Sequence, residues 1–142
     1  MDDAAVSEKF TEMGMEIIET HELLEELRES KVKVLFLEDG SPKKKSGLTV
    51  FGDCSKVSRR MKFLTDADFI IRIYVKNCGD ALFDEAKYKI LLLHELMHVG
   101  VRKNKKSGGF TFFLRPHDIG EFTYIQQGYG SRWQSPEAKL DF

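Results

Sequence analysis

The amino-acid sequence predicts an α+β fold in one domain, and three stretches of the chain support that prediction. Residues 6–29 place apolar side chains near the helical period and glutamates on the opposite face, which is typical of an amphipathic helix. Residues 68–77, DFIIRIYVKN, are rich in β-branched and aromatic side chains and predict a strand. Residues 80–101 predict a second, largely apolar helix. The 142 residues suffice for one hydrophobic core, and they contain no repeat or linker that would divide the chain.

The segment between the amphipathic helix and the strand at residues 68–77 predicts short strands and loops. Residues 31–38 first alternate between charged and apolar side chains and then continue as an apolar run, which predicts a strand. Residues 39–47 are full of turn formers and predict a surface loop. Residues 48–51 then predict a short strand, followed by either an irregular link or a helical turn.

The second half of the chain alternates helix and strand. Asp80 or Asp84 can cap the apolar helix, which we expect to run to about residue 101. A polar loop follows, and residues 110–116 predict a strand or an extended segment. Residues 117–127 predict a final short helix that begins after Pro116.

Composition narrows the classes of partner and compartment. The chain has 22 basic and 23 acidic residues and a formal net charge of −1, so charge alone gives no reason to expect nucleic acid or an anionic membrane. No apolar run is as long as the roughly 18 residues that a membrane-spanning helix needs. The N-terminus is acidic, whereas a signal peptide begins with basic residues. We therefore expect a cytoplasmic protein without a membrane partner. Cys54 and Cys78 predict reduced, partly buried thiols and not a disulfide framework.

The stretch HELMH, residues 94–98, carries the chemistry. Residues four apart on a helix point to the same side, so His94 and His98 can bind one metal ion. Glu95 lies about 100° around the axis, from where it can reach a water at that metal. The H-E-x-x-H pattern is the signature of zinc metalloproteases, with two imidazole ligands and a glutamate general base.

A structural explanation of these residues competes with the catalytic one. The pattern fixes only three positions and arises by chance, and a buried histidine is more often a core residue than a ligand. The surroundings favour the functional interpretation, because the flanking side chains of Ile90, Leu91, Leu93 and Met97 bury this helix. Two histidines and a glutamate in such a place cost several kcal/mol unless a partner satisfies them, and a metal ion does so.

A third ligand is expected downstream of the motif. His117 is the best candidate, because it opens the segment HDIGEF and eighteen residues separate it from His98, enough for a loop and a returning strand. Glu121, one helical turn further, is the alternative third ligand, and it could instead accept the free N–H of a ligating histidine. Asp118 is the other candidate for that supporting role. The remaining histidine, His21, lies on the acidic amphipathic helix and is not expected to bind metal.

The order of these features resembles a known family. The strand DFIIRIYV, the helix with LLLHELMHVGV and the segment LRPHDIGEF together resemble the putative phage metallopeptidase family, a group of zincin-like, SprT-related minimal metalloproteases. HELMH is common to all zincins, whereas the strand before it and HDxxEF after it indicate the narrower group. The resemblance covers about residues 30–127. The chain lacks the further histidine that follows the motif helix in metzincins.

This resemblance implies a fold, a cofactor and a set of roles. A small mixed β-sheet would pack against the motif helix, and the edge of that sheet would border the substrate cleft. His94, His98 and His117 would hold Zn²⁺, and Glu95 would act as the catalytic acid and base. The implied activity is hydrolysis of peptide bonds in a peptide or protein substrate.

The main alternative is a protein that binds metal without proteolysis, such as an inhibitor, a DNA-associated module or a structural zinc domain. Three basic stretches, PKKK at residues 42–45, SRRMK at 58–62 and RKNKK at 102–106, leave a nucleic-acid partner open. Solvated loops that balance the acidic first helix explain them more simply. The glutamate of HELMH favours the enzyme, because a structural site needs no general base. The sequence names neither the substrate, the group that stabilises the oxyanion, nor the oligomeric state.

Overall fold

The computed structural model describes residues 4–117, 125, 128–129, 133–134, 138, 140 and 142. In this part of the chain the fold is mixed α+β, with three small sheets. The α-helices are α1 Glu8–Thr20, α2 Glu25–Ser30, α3 Val75–Asp80 and α4 Glu85–Met97. The strands are β1 Ala4–Val6, β2 Val34–Asp39, β3 Lys44–Lys45, β4 Leu48–Thr49, β5 Gly52–Lys56, β6 Phe69–Tyr74, β7 Val99–Lys103 and β8 Phe110–Leu114.

The main sheet is mixed, as the family resemblance implies. Its strand order is β1-β2-β6-β5, with β2 parallel to β6 and the other neighbours antiparallel. The predicted strand at residues 68–77 is confirmed as the central strand β6, although residues 75–77 belong to α3. The amide nitrogen of Asn77 donates to the backbone oxygens of Lys43 and Val50, which holds α3 against the preceding loop.

The helices α1 and α4 cover one face of this sheet. The Phe36, Phe69, Ile71 and Ile73 side chains of that face are fully buried against them. The Phe10 ring on α1 packs against the Tyr88 ring on α4, with centroids 5.2 Å apart. This layer of two helices on a sheet forms the principal core. A smaller cluster of Val57, Ala67 and Ile70 covers part of the other face.

The amphipathic helix predicted at residues 6–29 is two helices. Ser7 caps α1 through its hydroxyl, which accepts from the Phe10 N–H at 3.0 Å. The helix ends at His21, whose backbone is extended and whose ring Nδ1 accepts from the Leu23 N–H at 3.2 Å. A 3₁₀ turn and α2 then complete the segment. The apolar period continues across the break, because Ile17, Leu24 and Leu27 still enter the same core.

The predicted surface loop at residues 39–47 contains half of a small hairpin. β3 and β4 pair antiparallel through a two-residue turn at Ser46 and Gly47. Both turn residues have positive φ, 52° and 77°, as the tight turns of two-residue hairpins require. The sequence analysis missed this hairpin because its strands are only two residues long.

The prediction that the motif helix extends to about residue 101 is wrong. Asp84, one of the two predicted caps, begins α4 by accepting from the Lys87 N–H at 3.0 Å. The helix ends at Met97, and Val99–Lys103 form β7, which pairs antiparallel with β8. The β-branched valines favour a strand. Gly100 leaves room for the Phe113 ring of the partner strand, because a Cβ at this position would lie 2.4 Å from that ring.

The last predicted element lies mostly outside the described residues. Of residues 117–127, Ile125 is helical and fully buried in the principal core. Trp133 is also buried, and its ring lies 6.1 Å from that of Phe83. In the part of the chain that the structure describes, no helix combines the length and the apolar character needed to cross a bilayer.

The thiols agree with the sequence analysis. Cys54 and Cys78 are both free, and Cys78 is fully buried. Burial raises the pKa of the Cys78 thiol to about 12, so it stays protonated at neutral pH.

The contact between α1 and β2 predicts a specific sensitivity to substitution. A Cβ at Gly14 would lie 2.3 Å from the Phe36 ring, which is fully buried and cannot move aside. We expect Gly14→Ala to lower the free energy of unfolding by about 1–3 kcal/mol, the usual cost of overpacking a core. The matched control is Gly79→Ala in α3, where a Cβ meets nothing within 4 Å. Urea denaturation of both variants tests this, and equal midpoints would contradict it.

Candidate metal centre

The end of α4 brings the two motif histidines together. His94 and His98 are one helical turn apart, and their ring centroids are separated by 5.3 Å. His94 is buried, and the His98 side chain is only 15% exposed. The apolar run that precedes them, from Ile90 to Leu93, is fully buried and sets the rotation of the helix. The side chains of His94 and Glu95 line one cleft at the edge of the core.

His98 is held by the strand that returns after the hairpin. Its backbone oxygen accepts from the Arg115 N–H at 2.7 Å, and its ring Nδ1 lies 2.6 Å from the Arg115 backbone oxygen. His98 and Arg115 are thus the next pair in the β7–β8 register, one step beyond the strands. A carbonyl oxygen only accepts, so Nδ1 of His98 carries the proton. The lone pair of this ring is then on Nε2.

The same return places His117 at the motif. Nε2 of His117 lies 3.0 Å from Nε2 of His94. The ring centroid of His117 is 4.8 Å from that of His94 and 4.4 Å from that of His98. The structure therefore brings together the three histidines that the sequence analysis singled out. Asp118 and Glu121, the predicted supporting residues, lie outside the described residues.

These three imidazoles fit a metal ion. One nitrogen from each ring lies within 4.8 Å of the others. A tetrahedral zinc centre with Zn–N bonds of about 2.0–2.1 Å has its nitrogens about 3.3 Å apart. The His94–His117 pair is already near that separation, and small ring rotations would draw in the third nitrogen. His98 presents its lone pair through Nε2, as a ligating histidine with a carbonyl partner does.

The Glu95 carboxylate lies beside the imidazoles of His94 and His98 but is not within hydrogen-bonding distance of their Nε2 atoms. Its carboxylate is 3% exposed, with one oxygen 3.9 Å from Nε2 of His94 and the other 4.0 Å from Nε2 of His98. Contacts of this length leave room for a bridging water and are too long for direct hydrogen bonds. The arrangement can hold a cation with three nitrogens and keep a base next to it.

The cleft beside these residues has a volume of about 320 Å³. One side is the β3–β4 hairpin and the start of β5, and the other is the cluster of α4 side chains with His117. Its lining includes Lys45, Leu48, Val50, Gly52, Leu91 and Gln134. Leu48 is 73% exposed, so the hairpin presents an apolar side chain at the mouth of the cleft.

A family model adds to this geometry. The model described as putative phage metallopeptidase matches residues 3–140. The chain belongs to this family. No curated protein and no solved structure matches the chain. The resemblance recognised in the sequence is confirmed for the phage metallopeptidase family, and the relationship to SprT-type proteases stays a prediction.

In this phage metallopeptidase chain, the edge strand β5 runs past the cleft. Tyr74 donates its N–H to the Phe51 oxygen, and Val57 donates to the Asp68 oxygen. Hydrogen-bonded pairs alternate in an antiparallel ladder, so the odd-numbered residues of β5 bond to β6. The backbone N–H and C=O groups of Gly52, Cys54 and Lys56 therefore point away from β6. Within the described residues no further strand pairs with them.

Gly52 is a site residue that the sequence analysis missed. A Cβ at this position would lie 3.2 Å from the Glu95 Oε2 and 3.1 Å from the Arg72 backbone oxygen. The lack of a side chain thus gives the Glu95 carboxylate its place between helix and edge strand. Nothing in the local sequence marks this glycine, because the contact joins residues 43 positions apart.

Cys54 shares that face of β5. Burial raises the pKa of its thiol, and the negative charges of Glu95 and Asp53 raise it further. The thiol therefore stays neutral beside the carboxylate. Asp53 points to the other face, where it accepts a hydrogen bond of 2.7 Å from the Tyr74 hydroxyl.

Two arginine side chains near the β7–β8 hairpin lie over one aromatic ring. The Arg115 guanidinium lies over the Phe113 ring, 5.9 Å from its centroid, and the Arg102 guanidinium lies 5.4 Å from the same centroid. His21 caps the C-terminal end of α1 and does not belong to the three-histidine group.

The three-histidine cluster predicts how metal binding responds to substitution. We expect His94→Ala, His98→Ala and His117→Ala each to abolish most metal affinity, because each removes one of three nitrogen donors. His21→Ala is the matched control and should retain full metal content. Elemental analysis of protein purified without added metal, together with the chelator-induced fall in melting temperature, measures this. Full occupancy in His117→Ala would show that another residue is the third ligand.

Proposed function

We propose that this chain is a zinc-dependent metallopeptidase, a single zincin-like domain over residues 1–142 that hydrolyses peptide bonds in a peptide or protein substrate. His94, His98 and His117 hold the Zn²⁺, and Glu95 is the catalytic base. The observation that carries the proposal is the buried Glu95 carboxylate, 3.9 and 4.0 Å from two imidazoles of a three-histidine cluster. Membership of the phage metallopeptidase family supports the same activity.

The donor set favours zinc among the metals that proteins bind. Imidazole nitrogens suit zinc, copper, iron and nickel, whereas calcium and magnesium prefer oxygen ligands. Three protein ligands and one open position are typical of catalytic zinc, whereas structural zinc is usually closed by four ligands, often thiolates. Of the described residues, the three histidines alone form such a group, and neither cysteine belongs to it.

The residues of the chain divide the work of hydrolysis. When bound, zinc supplies an acidified water and an electrophile for the scissile carbonyl. Glu95, whose carboxylate lies about 4 Å from two of the imidazoles, would accept the proton of the attacking water and pass it to the leaving amine. Burial of Glu95 keeps bulk water from competing for that proton. The carbonyl of Arg115 holds the His98 ring in the tautomer and orientation that a ligand needs.

The edge of the sheet provides the means to hold an extended substrate. The outward backbone groups of Gly52 and Cys54 can pair with a polypeptide in the manner of an added strand. Such pairing recognises the peptide backbone, so it suits a peptidase and gives little side-chain selectivity. It places the substrate backbone beside Gly52, which lies directly against Glu95. The β3–β4 hairpin forms the opposite wall of the same cleft.

The role of Glu95 predicts the effect of a nearly isosteric substitution. Glu95→Gln keeps the shape of the side chain and removes the basic carboxylate. We expect zinc content and melting temperature to stay close to those of the wild type, while peptide hydrolysis falls by about two orders of magnitude or more. The measurement is cleavage of a broad peptide library by mass spectrometry, with zinc quantified in the same samples.

The same variant separates the peptidase from its alternative. A non-proteolytic metal-binding module, inhibitor or DNA-associated protein needs no base, so its biological effect would survive Glu95→Gln. Retained zinc together with undiminished cleavage would remove Glu95 from the mechanism. No cleavage by the wild-type protein over the whole library would count against the peptidase.

The contact between Gly52 and Glu95 predicts a loss of turnover without loss of metal. In Gly52→Ala the new methyl group would press on the Glu95 carboxylate from 3.2 Å, and the carboxylate must shift by a few tenths of an ångström. A displacement of about 1 Å costs on the order of 100-fold, so we expect kcat to fall by about tenfold. Zinc content should stay unchanged, because the ligands do not contact Gly52. Cys54→Ala on the same face is the control, and an equal loss there would contradict a specific role for Gly52.

A further inference from the structure

We propose that the exposed basic turn of residues 56–64, at the far end of β5, recognises an acidic stretch of the substrate polypeptide a few residues from the scissile bond. The proposal rests on the metallopeptidase function and names the substrate class that this site takes. The turn is defined by its sequence KVSRRMKFL.

The turn exposes apolar side chains that contribute nothing to the core. Phe63 is 93% exposed and Leu64 is 85% exposed, although they are adjacent and bulky. Every residue from 58 to 64 is exposed, and a 3₁₀ turn at Met61–Phe63 gives the segment a defined backbone. Single exposed apolar residues are ordinary, whereas a contiguous pair on an ordered turn is typical of a binding surface.

The cations of the turn are in excess over the acids around them. Lys62 pairs with Asp68 at 2.5 Å, and the nearby Asp66 pairs with Lys33 at 2.7 Å. Lys56, Arg59 and Arg60 form no ion pair with any described residue. Among the described residues the acids next to the turn are thus already matched, and three cations there have no acidic partner. The local charge is opposite in sign to the net charge of the chain, −1.

Three cations of the turn line a small cleft. Lys56, Arg59 and Lys62 form one side of a space of about 220 Å³, and Thr111 and Phe112 of β8 form the other. Asp68, the ion-pair partner of Lys62, also lines this space. The Phe112 ring packs edge-on against Phe69 in the core, with centroids 6.1 Å apart, so this wall is fixed. The lining has three cations and one acid, so the cleft can accept a further carboxylate side chain between the cations and the fixed Phe112 ring.

The edge strand β5 connects this cleft to the metal centre. Gly52 lies against Glu95, and Lys56 is the other end of the strand. Four steps at about 3.3 Å each separate the two ends by about 13 Å. A polypeptide paired with the outward groups of Gly52, Cys54 and Lys56 would carry its residues four to six positions from the scissile bond into the basic turn. The recognised chemistry is one or two carboxylates with an apolar side chain beside them.

The path along β5 favours a polypeptide over nucleic acid. An edge strand offers alternating amide and carbonyl groups, which match a peptide backbone and do not match a phosphodiester chain. Three cations and one exposed aromatic ring give a polypeptide enough contacts, whereas phosphate binding usually gathers more positive charge.

The experiment measures binding and cleavage with the same peptides. The probe is a fluorescein-labelled 12-residue peptide with Glu-Glu-Phe near one end, compared with a version in which both glutamates are glutamine and one with the acidic group at the other end. Binding is followed by anisotropy with the zinc-loaded full chain carrying Glu95→Gln, so that no probe is consumed. We expect one of the two acidic peptides to bind about tenfold more tightly than the glutamine peptide, the sum of two or three exposed charge pairs. The difference should disappear at high salt.

Matched variants locate the effect. Lys56→Glu with Arg59→Glu should abolish the preference for glutamate. Lys105→Glu with Lys106→Glu makes the same change of charge on the tip of the β7–β8 hairpin and should leave the preference intact. Phe63→Ser with Leu64→Ser should weaken binding several-fold without changing the melting temperature, because both side chains are exposed.

The outcomes separate the proposal from the function it rests on. Equal affinities for glutamate and glutamine peptides, or equal losses in both charge-reversed pairs, would overturn the recognition surface. Tighter binding of a 12-nucleotide single strand or of phosphatidylserine vesicles would overturn it in favour of those partners. Cleavage of the probes by the wild-type chain is scored separately. Probes that bind with the expected preference but are never cut support the surface and count against the peptidase.

Discussion

The pairing of His98 with Arg115 is the interaction on which the three-histidine cluster depends. The backbone of Arg115 bonds to both the backbone and the ring of His98, at 2.7 and 2.6 Å. It thereby closes the β7–β8 hairpin at the exact turn where α4 ends. The chain then needs only Pro116 to deliver His117 to the other two histidines. The pairing of His98 with Arg115 therefore sets the tautomer of the His98 ring and the position of His117. The β7–β8 hairpin is thus part of the site.

The short helix follows from this arrangement. α4 stops at Met97, directly before the second histidine, and His98 itself is the cap. A helix that continued for another turn would carry the backbone away from β8 and lose the contact with Arg115. The change from helix to strand costs little free energy, because Val99 and Val101 are β-branched and Gly100 has no side chain. Gly100 also lets the Phe113 ring lie flat on the hairpin.

Burial of Glu95 brings a cost that the neighbouring elements offset. A carboxylate that is 3% exposed is stable only near positive charge or hydrogen-bond donors. A metal held by the three imidazoles would supply the charge, which links the fold around Glu95 to metal binding. Gly52 contributes space, and the neutral Cys54 thiol adds no second charge to the same face. The edge strand β5 thus leaves space for the Glu95 carboxylate at Gly52. Its outward backbone groups pair with no further strand among the described residues.

The sequence by itself determined the local features of this protein. The helical spacing of His94 and His98, the strand at Phe69–Tyr74 and the amphipathic character of α1 each depend on residues within one or two turns, which periodicity reports directly. The choice between His117 and Glu121 stayed open at that level, and the motif helix was predicted to run four residues past its observed end at Met97. Only the tertiary structure ended the helix, because the register of β7 with β8 is a long-range pairing. It also placed Gly52 against Glu95 and left the basic turn at the end of β5, since contacts between residues tens of positions apart leave no periodic signal in the chain.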